Sequence, residues 1–529
     1  MNSTPDINPE VQASPMEAPA PRPKRQFRPI DRIAAAVVCL LGIFFLNSGI
    51  EGYDLLIWLA LTLLLVATPF YLRRFSITLT GKKIFLYALL PLFALPRLIF
   101  DSGDVYLLSH AFVLTGFMYI VHLVCADTGR APGECFFPEL AKAVFAMPLS
   151  EYGAAPEAIL SSKKKGVGRA IGSVLVGLAI AVVPTFVVLI LLILSDSSFE
   201  QMLENIFTGL PDINAGTLIF SVPLGILLGF YVFGHLWACG THALGGGVKA
   251  ETADRFKTSL RFAPVPMVCA AVFPLLCLYL LFFLSQVPYF VGGFSGTLPE
   301  GLTYADYARR GFFELCTVAV INAAVLLGIT LSTRRKEDRL PLPARITAVL
   351  LAFFTLTLLA SAAAKMLLYI DSYGLSRKRI YVLWLMGLLA VIFLLGLLHQ
   401  FLPRMRTAAL IFAAVVLFVG IFLFADFDRI VANYNVDAYL DGRLETVDVD
   451  MIGRLSAGSV PALLRLYDEA EDGTVRHWAA TCLDRFADRE YEPADLNLTR
   501  AAAQAAVKSR PELERGFVRS LQGILGTGG

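Results

Sequence analysis

Long apolar runs recur along this chain, and they constrain its fold more than any other feature. Segments such as VVPTFVVLILLIL and AALIFAAVVLFVGIFLF would carry apolar side chains on every side of a helix, so they cannot form the surface of a water-soluble domain. The runs are about 17 to 25 residues long, which is the length that a helix needs to cross a bilayer. With 56% hydrophobic and 17% charged residues in 529 positions, the composition is that of a membrane protein.

The apolar runs divide the chain into parts. Residues 1–31 contain seven prolines and few large apolar residues, which predicts a disordered segment. Residues 32–424 are expected to form an all-α polytopic bundle of about eleven transmembrane helices. The predicted spans lie near residues 33–49, 55–72, 84–100, 105–124, 170–194, 217–240, 263–288, 311–332, 346–370, 380–399 and 408–424.

The distribution of basic residues predicts the orientation of this bundle, because loops that stay in the cytoplasm are enriched in Lys and Arg. With the N-terminus in the cytoplasm, the inner segments hold 26 basic residues and the outer loops hold five. Those five are Arg309, Arg310, Arg377, Lys378 and Arg379. The sequence therefore predicts a multi-pass protein of the cytoplasmic membrane with a cytoplasmic N-terminus and a retained first helix.

Residues 425–529 differ from the rest of the chain in charge and pattern. This tail has 12 basic and 18 acidic residues, a net charge of −6, whereas the preceding residues sum to +8. SVPALLRLYDEA and VRHWAATCLDRFAD place apolar residues three and four apart, as amphipathic helices do, with EDGT as the turn between them. An odd number of spans puts the tail opposite the N-terminus. We expect a small, soluble α-helical domain outside the cytoplasm.

Three segments carry a family resemblance: TYADYARRGFFELCTVAVIN, YIDSYGLSRKRIYVLW and NYNVDAYLDGRLETVDVDMIGRLSAGSVPALLRL. In these segments the chain resembles a bacterial multi-pass membrane family named domain of unknown function 4153, and its close neighbour 4173. The resemblance implies this pattern of helices and an exterior tail. Because no activity is established for that family, the resemblance supplies no substrate and no catalytic residue.

Polar residues near the outer ends of the eighth and ninth predicted spans form a candidate polar seam within the membrane. Its residues are Tyr307, Arg310, Glu314, Asn322, Lys365, Tyr369 and Asp371. A charge alone in hydrocarbon costs about 2.5–3.5 kcal/mol at mid-membrane, so pairing or hydration is favoured. In one interpretation Glu314 pairs with Arg310 or Lys365 and Asn322 bonds between helices. In the other, the charged side chains reach head groups and interfacial water and only anchor the helix.

Histidines and cysteines near the inner ends of the fourth and sixth predicted spans are candidate metal ligands. HLVC places His122 and Cys125 three residues apart, and HLWACGTH places His235, Cys239 and His242 on one helical face. Imidazole and thiolate are the ligands of tetrahedral zinc sites. The alternative is that these side chains close gaps between helices, and the lack of paired CxxC motifs favours it.

Sequence motifs also bear on the class of function. The chain contains no GxSxG, HExxH, P-loop or kinase signature, so we expect neither an enzyme nor a bound cofactor. Basic residues lie in short clusters between spans, which disfavours nucleic-acid binding. We expect a sensor or scaffold that works in the lipid bilayer and meets a protein partner through its tail. The alternative is a secondary transporter built on the polar seam, since Pro184 and Pro274 interrupt two predicted spans, although no internal repeat accompanies them.

Overall fold

The computed structural model describes residues 25–51, 54–77, 81–101, 103–126, 136–160, 215–245, 258–295, 312–335, 339–402, 404–487 and 497–510, together with three isolated positions. Every regular element in these segments is a helix, apart from one β-bridge between Ala263 and Thr333. Nine of the described helices are long and apolar enough to cross a membrane. The predicted all-α polytopic fold is therefore confirmed. The predicted fifth span, residues 170–194, lies outside the described residues except for the isolated position Val188.

The first group of helices contains the N-terminal half of the membrane domain. Its long helices are α1 (Pro29–Glu51), α2 (Asp54–Leu72), α3 (Gly81–Ala94), α5 (Gly103–Ala126) and α9 (Ala215–Gly240), with short helices α4 (Pro96–Ile99), α6 (Phe136–Ala141), α7 (Met147–Ser150) and α8 (Ala154–Leu160). The predicted third span is α3 followed by α4, because the helix breaks at Leu95, just before a proline that has no N–H to donate. Most of these helices share one buried apolar core.

Glycines bring the backbones of α1 and α9 into direct contact. A Cβ atom on Gly225 would lie 2.3 Å from the Cα of Ile43, and one on Gly229 would lie 2.5 Å from the Cα of Cys39. Two small residues four positions apart on a membrane helix allow this close approach. Without a driving force from water inside the membrane, van der Waals contact between backbones is what holds such a pair together.

The second group contains α10 (Val265–Ser295), α11 (Phe312–Ser332), α12 (Leu342–Tyr373), α13 (Arg377–Phe401) and α14 (Thr407–Phe424). Helix α12 packs against α10, α11 and α13. Pro274 lies within α10, which continues through it, and Pro184 lies outside the described residues. Helix α14 joins the two groups through one apolar cluster that includes Phe93, Phe112, Trp384, Phe422 and Leu423.

The tail consists of α15 (Phe427–Leu440), α16 (Val449–Gly453), a short 3-10 turn (Ala457–Ser459), α17 (Val460–Glu469), α18 (Gly473–Ala487) and α19 (Leu498–Lys508). The two amphipathic segments of the sequence are α17 and α18, which pack against each other. The apolar core of the tail is continuous with that of the second group. The tail is thus packed onto the membrane domain along its apolar side.

The bundle has two ends. The tail lies at the end that carries the start of α2, the end of α4 and the turn between α12 and α13, which we call the tail face. The other end, where α1 begins, is the N-terminal face. There Arg25 forms ion pairs of 2.7 Å with both Glu151 and Glu157. Helix α1 begins at Pro29, inside the segment predicted to be disordered, and residues 1–24 lie outside the described part of the chain.

Candidate functional site: the contact between the tail and the bundle

Arg500 of α19 connects the tail to the first group of helices. Its Nη2 lies 2.6 Å from Asp101 Oδ1, and its Nη1 lies 3.5 Å from Asp54 Oδ2. Asp54 is fully buried and also accepts a 2.5 Å hydrogen bond from Nε of Arg97. Nη1 of Arg97 lies 3.0 Å from a ring nitrogen of His110 on α5. Two carboxylates and two guanidinium groups thus compensate one another in a largely buried row that crosses from tail to bundle.

Asn497 fastens the same junction with neutral hydrogen bonds. Its Oδ1 accepts from the backbone N–H groups of Thr499 and Arg500, which caps the start of α19. Its Nδ2 donates to the carbonyl oxygens of Arg97, at 2.8 Å, and Phe100, at 3.0 Å. Carbonyl groups at a helix end have no partner within the helix. The tail therefore supplies hydrogen bonds that the end of α4 cannot make for itself.

Arg377 connects the tail to the second group of helices. Its guanidinium forms two hydrogen bonds with the carboxylate of Asp428, one of them 2.6 Å between Nη2 and Oδ2. Asp428 is fully buried and also accepts a 3.0 Å bond from the backbone N–H of Ser456. A bidentate pair of this kind fixes orientation as well as distance. Helix α15 is therefore held in one position against the start of α13.

Asn435 reaches the turn that precedes Arg377. Its Oδ1 accepts from the N–H of Leu375, and its Nδ2 donates to the carbonyl of the same residue, both at 2.8 Å. Gly374 has a φ of 76°, a conformation that favours glycine, and a Cβ atom there would lie 2.1 Å from Asn435 Oδ1. The turn and the tail thus fit together only with glycine at this position. Both segments belong to motifs that carry the family resemblance.

These contacts give the basic residues of the α12–α13 turn a structural role. Arg377 and Arg379 are two of the five basic residues that oppose the predicted orientation. Arg377 pairs with Asp428, while Arg379 lies 4.2 Å over the ring of Tyr369 and donates to the carbonyl of Tyr373. Both guanidinium groups are thus occupied in holding the turn and the tail. Lys378 between them is exposed.

Asp426 adds a titrating group beside this junction. It caps α15 by accepting from the N–H of Arg429. Burial above all raises the pKa of Asp426, the Arg429 N–H bond lowers it, and the nearby carboxylates of Asp428 and Asp101 raise it further. The junction therefore contains one carboxyl group whose charged form is disfavoured.

The residues of the predicted polar seam do not form a single cluster in the described part of the chain. Asn322 is fully buried, accepts a 2.6 Å bond from the hydroxyl of Tyr279 and donates a 2.9 Å bond to Thr355 Oγ1. This neutral set joins α10, α11 and α12. Glu314 is exposed and forms no ion pair with Lys365 among the described residues, and Lys365 is largely buried on α12.

The remaining seam residues lie elsewhere. Tyr369 packs beside Tyr373, with ring centroids 5.0 Å apart, and Asp371 is exposed. Tyr307 and Arg310 lie outside the described residues. Within the part of the chain that the structure describes, Glu314 stands on an exposed side of α11, whereas Lys365 is mostly covered. The charges that the structure does bury in pairs include Asp54 with Arg97 and Asp428 with Arg377 at the tail face, and Asp31 with Arg74 at the N-terminal face.

The structure brings four of the five candidate metal ligands together, since α5 and α9 are in contact. Cys239 Sγ lies 3.5 Å from His235 Nε2 and 3.5 Å from Met147 Sδ, and Cys125 adjoins it. His122 is buried, and neither of its ring nitrogens has a hydrogen-bond partner among the residues that the structure describes. His242 is separate and exposed, in a turn after α9. Among the described residues, no three His, Cys, Asp or Glu side chains converge as metal ligands.

Sequence reasoning missed the row of charges at the tail face. Arg97 lies near the end of the third predicted span and is buried and paired with Asp54, which no sequence motif indicated. Asp101 contacts Arg500 and Ala457 of the tail, which lie more than 350 positions away in the sequence. The sequence feature that pointed to the tail face was the group of basic residues at 377–379. These residues lie in a predicted outer loop, where few Lys and Arg are expected.

Comparison with known proteins assigns the family. The model of the family described as Domain of unknown function (DUF4153) matches residues 33–466, which is most of the chain. The chain belongs to this family, as its three motifs indicated. No curated protein and no solved structure matches it. The matched range ends within α17, so Arg377, Asp428 and Asn435 lie inside it and Asn497 and Arg500 lie beyond it.

Proposed function

We propose that this integral membrane protein is a sensor or scaffold, in which a helical domain outside the cytoplasm is held against the bundle and presented to a protein partner. The observation that supports this most directly is Arg500, which joins the tail to Asp101 and to the buried Asp54 of the bundle. Domains that only share a chain are usually separated by flexible linkers. Here the tail is bound at two places by buried polar groups.

The two attachment points give the tail a means of responding to the bundle. The Arg500 set holds it to the first group of helices, and the Arg377 set holds it to the second. A rotation of one group against the other therefore has to break or rearrange one set, because rigid-body movements are accommodated by repacking ion pairs at interfaces. A ligand or lipid that shifts the bundle would thus change the tail surface that a partner meets.

The orientation in this proposal rests on the distribution of basic residues and is tested with a reporter. Alkaline phosphatase folds to its active form only outside the cytoplasm, where disulfides form. We expect activity when it is fused after Asp428 and none when it is inserted near Lys163, in the loop that the charge rule assigns to the cytoplasm. The reverse pattern would refute the orientation.

The alternative is a secondary transporter, and the buried set of Tyr279, Asn322 and Thr355 favours it. Polar residues between membrane helices often mark the path of a substrate. The same three residues also suffice as a hydrogen-bonded contact between helices. The two functions therefore differ in which set of residues is needed for activity.

Complementation of a deletion strain separates these functions. Arg500→Gln combined with Asp428→Asn weakens both attachments of the tail, whereas Asn322→Leu combined with Thr355→Val removes the neutral set. For a sensor or scaffold, the first variant loses the ability to restore growth and envelope integrity and the second keeps it. The opposite result would replace our proposal with transport. Equal amounts of each protein in the membrane, measured with a fused fluorescent protein, are required for the comparison.

A further inference from the structure

Residues 136–160 follow α5 and form a run of short helices. Helix α6, a π-helical turn (Lys142–Ala146) and α7 are continuous, and α8 begins after residues 151–153. A helix needs about 20 residues to cross the hydrocarbon core, so none of these helices can span a membrane by itself. The distribution of basic residues assigned this part of the chain to the cytoplasm. A loop in water is expected to expose polar side chains.

Apolar side chains form the exposed surface of this segment up to the end of α7. Between residues 136 and 150, the structure exposes Phe137, Pro138, Ala141, Phe145, Ala146 and Leu149, all of them apolar. We call these six residues the apolar stripe. Phe137, Phe145 and Leu149 expose 59%, 64% and 61% of their surface. By contrast, the turn between α17 and α18 in the tail exposes Glu471 and Asp472. The stripe is therefore suited to hydrocarbon and not to water.

Contacts with two membrane helices give the depth of α6. The ring centroid of Phe136 lies 5.1 Å from that of Tyr119 on α5 and 4.2 Å from that of Phe412 on α14. At a rise of about 1.5 Å per residue, Tyr119 lies about 10 Å before the end of its span at Ala126. Phe412 lies about 8 Å after the start of its span at Thr407. Both of these span ends are at the N-terminal face, so Phe136 lies beside the spans and not beyond their ends.

Contacts with α9 place the rest of the segment at a similar depth. A Cβ atom on Gly234 would lie 2.9 Å from the carbonyl oxygen of Pro148, so α7 touches the backbone of α9. Gly234 lies about 9 Å before the end of this span at Gly240. The hydroxyl of Tyr231, one turn deeper, donates to the carbonyl of Val144. Half of a hydrocarbon core is about 15 Å thick, so these contacts fall within the half of the membrane next to the N-terminal face.

Three of the charged side chains in this segment reach a partner at the N-terminal face. The Nζ of Lys142 extends past the end of α9 and donates a 3.0 Å bond to the carbonyl of Leu244. Glu151 and Glu157 each form a 2.7 Å ion pair with Arg25. Pairing or contact with the surface is what a charge at this depth requires. Because α5 ends at the same face, the chain also returns to the face from which it came.

We infer that residues 136–160 form a re-entrant segment, which lies in the half of the membrane next to the N-terminal face and turns its apolar stripe to lipid chains. Irregular backbone is tolerated at this depth where it packs against protein, as it does here against α9. The stripe continues the lipid-facing surface of α14, because Phe136 packs on Phe412 and Leu410 of the same helix exposes 42% of its surface. A segment that returns to the same face leaves the predicted orientation of the spans unchanged.

The test uses the full-length protein in nanodiscs of phosphatidylcholine whose chains carry bromine either near the head group or near the chain end. Bromine quenches the fluorescence of a tryptophan that it contacts, and iodide quenches one that is in water. Phe145→Trp places the probe on the stripe. Leu417→Trp on α14, about 15 Å from the start of its span, marks the centre of the bilayer, and Glu471→Trp in the tail marks water. The signal of the wild type is subtracted to remove the native tryptophans.

We expect bromine near the head group to quench Phe145→Trp more than bromine near the chain end does. Leu417→Trp should show the reverse order, because it lies deeper. Iodide should quench Glu471→Trp at least several-fold more than Phe145→Trp. This combination would place the stripe in lipid, between the surface and the centre of the bilayer.

Two outcomes would overturn the inference. Iodide that quenches Phe145→Trp as strongly as Glu471→Trp would place the segment in water. A Phe145→Trp probe that neither bromine nor iodide quenches would mean that protein, and not lipid, covers the stripe. If Phe145→Trp does not fold, Leu149→Trp places the probe on the same stripe, one turn further along the chain.

Discussion

The two groups of membrane helices are packed in different ways. In the first group, a Cβ atom on Gly225 or Gly229 would collide with the backbone of α1 at 2.3–2.5 Å. In the second group, and counting only the described residues, a Cβ atom on Gly396 would meet a side-chain carbon of Leu326 at 3.3 Å, and one on Gly328 would meet nothing within 4 Å. Backbones touch in one group, and side chains fill the space in the other.

The two groups also differ in what they bury. The first group contains fully buried carboxylates at both ends, with Asp31 paired to Arg74 at the N-terminal face and Asp54 paired to Arg97 at the tail face. The second group joins its helices with the neutral set of Tyr279, Asn322 and Thr355. Neutral hydrogen bonds tolerate rearrangement, whereas a buried charge requires its partner. The first group is therefore expected to be the rigid part and the second the adaptable part.

The largest effect is predicted for Gly225→Ala. The added methyl group has no room against the backbone of α1, so the two helices must separate, and we expect a loss of about 3 kcal/mol. Gly328→Ala in α11 is the matched control, because the site is open and alanine favours the helix by about 1 kcal/mol. Hydrogen exchange of α1 and α9 in nanodiscs measures the difference. Equal protection of α1 and α9 from hydrogen exchange in both variants would contradict the difference in packing between the two groups.

A smaller effect is predicted for Arg377→Ala. The change leaves the buried carboxylate of Asp428 without its bidentate partner, and since Arg377 itself is 30% exposed, water offsets part of the loss. We expect the attachment of the tail to weaken by about 2 kcal/mol. Faster hydrogen exchange in α15 would show that the attachment of the tail is weaker. The exposed neighbour Lys378→Ala removes the same charge and should leave α15 unchanged, and a similar effect of both changes would mean that the pair itself contributes nothing.

Much of the fold could be predicted because its signals are local. The apolar runs defined the described membrane helices, and the three- and four-residue spacing defined α17 and α18. The tail junction could not be predicted in this way, since its partners are far apart in sequence. Asn497 and Arg97, for example, are 400 residues apart. A single sequence contains no signal that joins them.

The charged residues also show that a single sequence does not reveal which helices pack together. Arg97 and Glu314 look alike in the sequence, as single charges near one end of an apolar run. The structure buries Arg97 against Asp54, which comes from another helix, and exposes Glu314. Depth within a span is a local property, but burial depends on which helix packs alongside. The residues of the polar seam were therefore chosen by their depth in the membrane, and Asn322 is the member that forms hydrogen bonds to both Tyr279 of α10 and Thr355 of α12.

The neutral set of the second group is predicted to contribute less than either contact above. Asn322→Leu removes the acceptor of Tyr279 and the donor to Thr355, but Thr355 keeps its own bond to the carbonyl of Leu351. Hydrogen bonds between membrane helices contribute about 0.6 kcal/mol on average, so a loss of about 1 kcal/mol is expected. Thermal unfolding in nanodiscs measures it. A loss as large as that of Gly225→Ala would contradict the view that this group is the adaptable one.

The smallest effect is predicted for Asp426→Asn, and it depends on pH. Because burial raises the pKa of Asp426 above its ordinary 3.8, the folded tail binds a proton more readily than the unfolded chain does. Stability is therefore lost as pH rises from about 4 through the raised pKa, when the buried carboxyl group becomes charged.

Asparagine keeps the cap on α15 and never becomes charged. We expect the variant to be more stable than the wild type near neutral pH, by less than about 1 kcal/mol, and equal to it well below pH 3.8, where the carboxyl group is protonated in both the folded and the unfolded chain. Hydrogen exchange of α15, corrected for the intrinsic rate at each pH, gives the comparison, with Asp426→Ala as the variant that loses the cap as well. An asparagine variant that is less stable at neutral pH would show that the charge of Asp426 strengthens the junction.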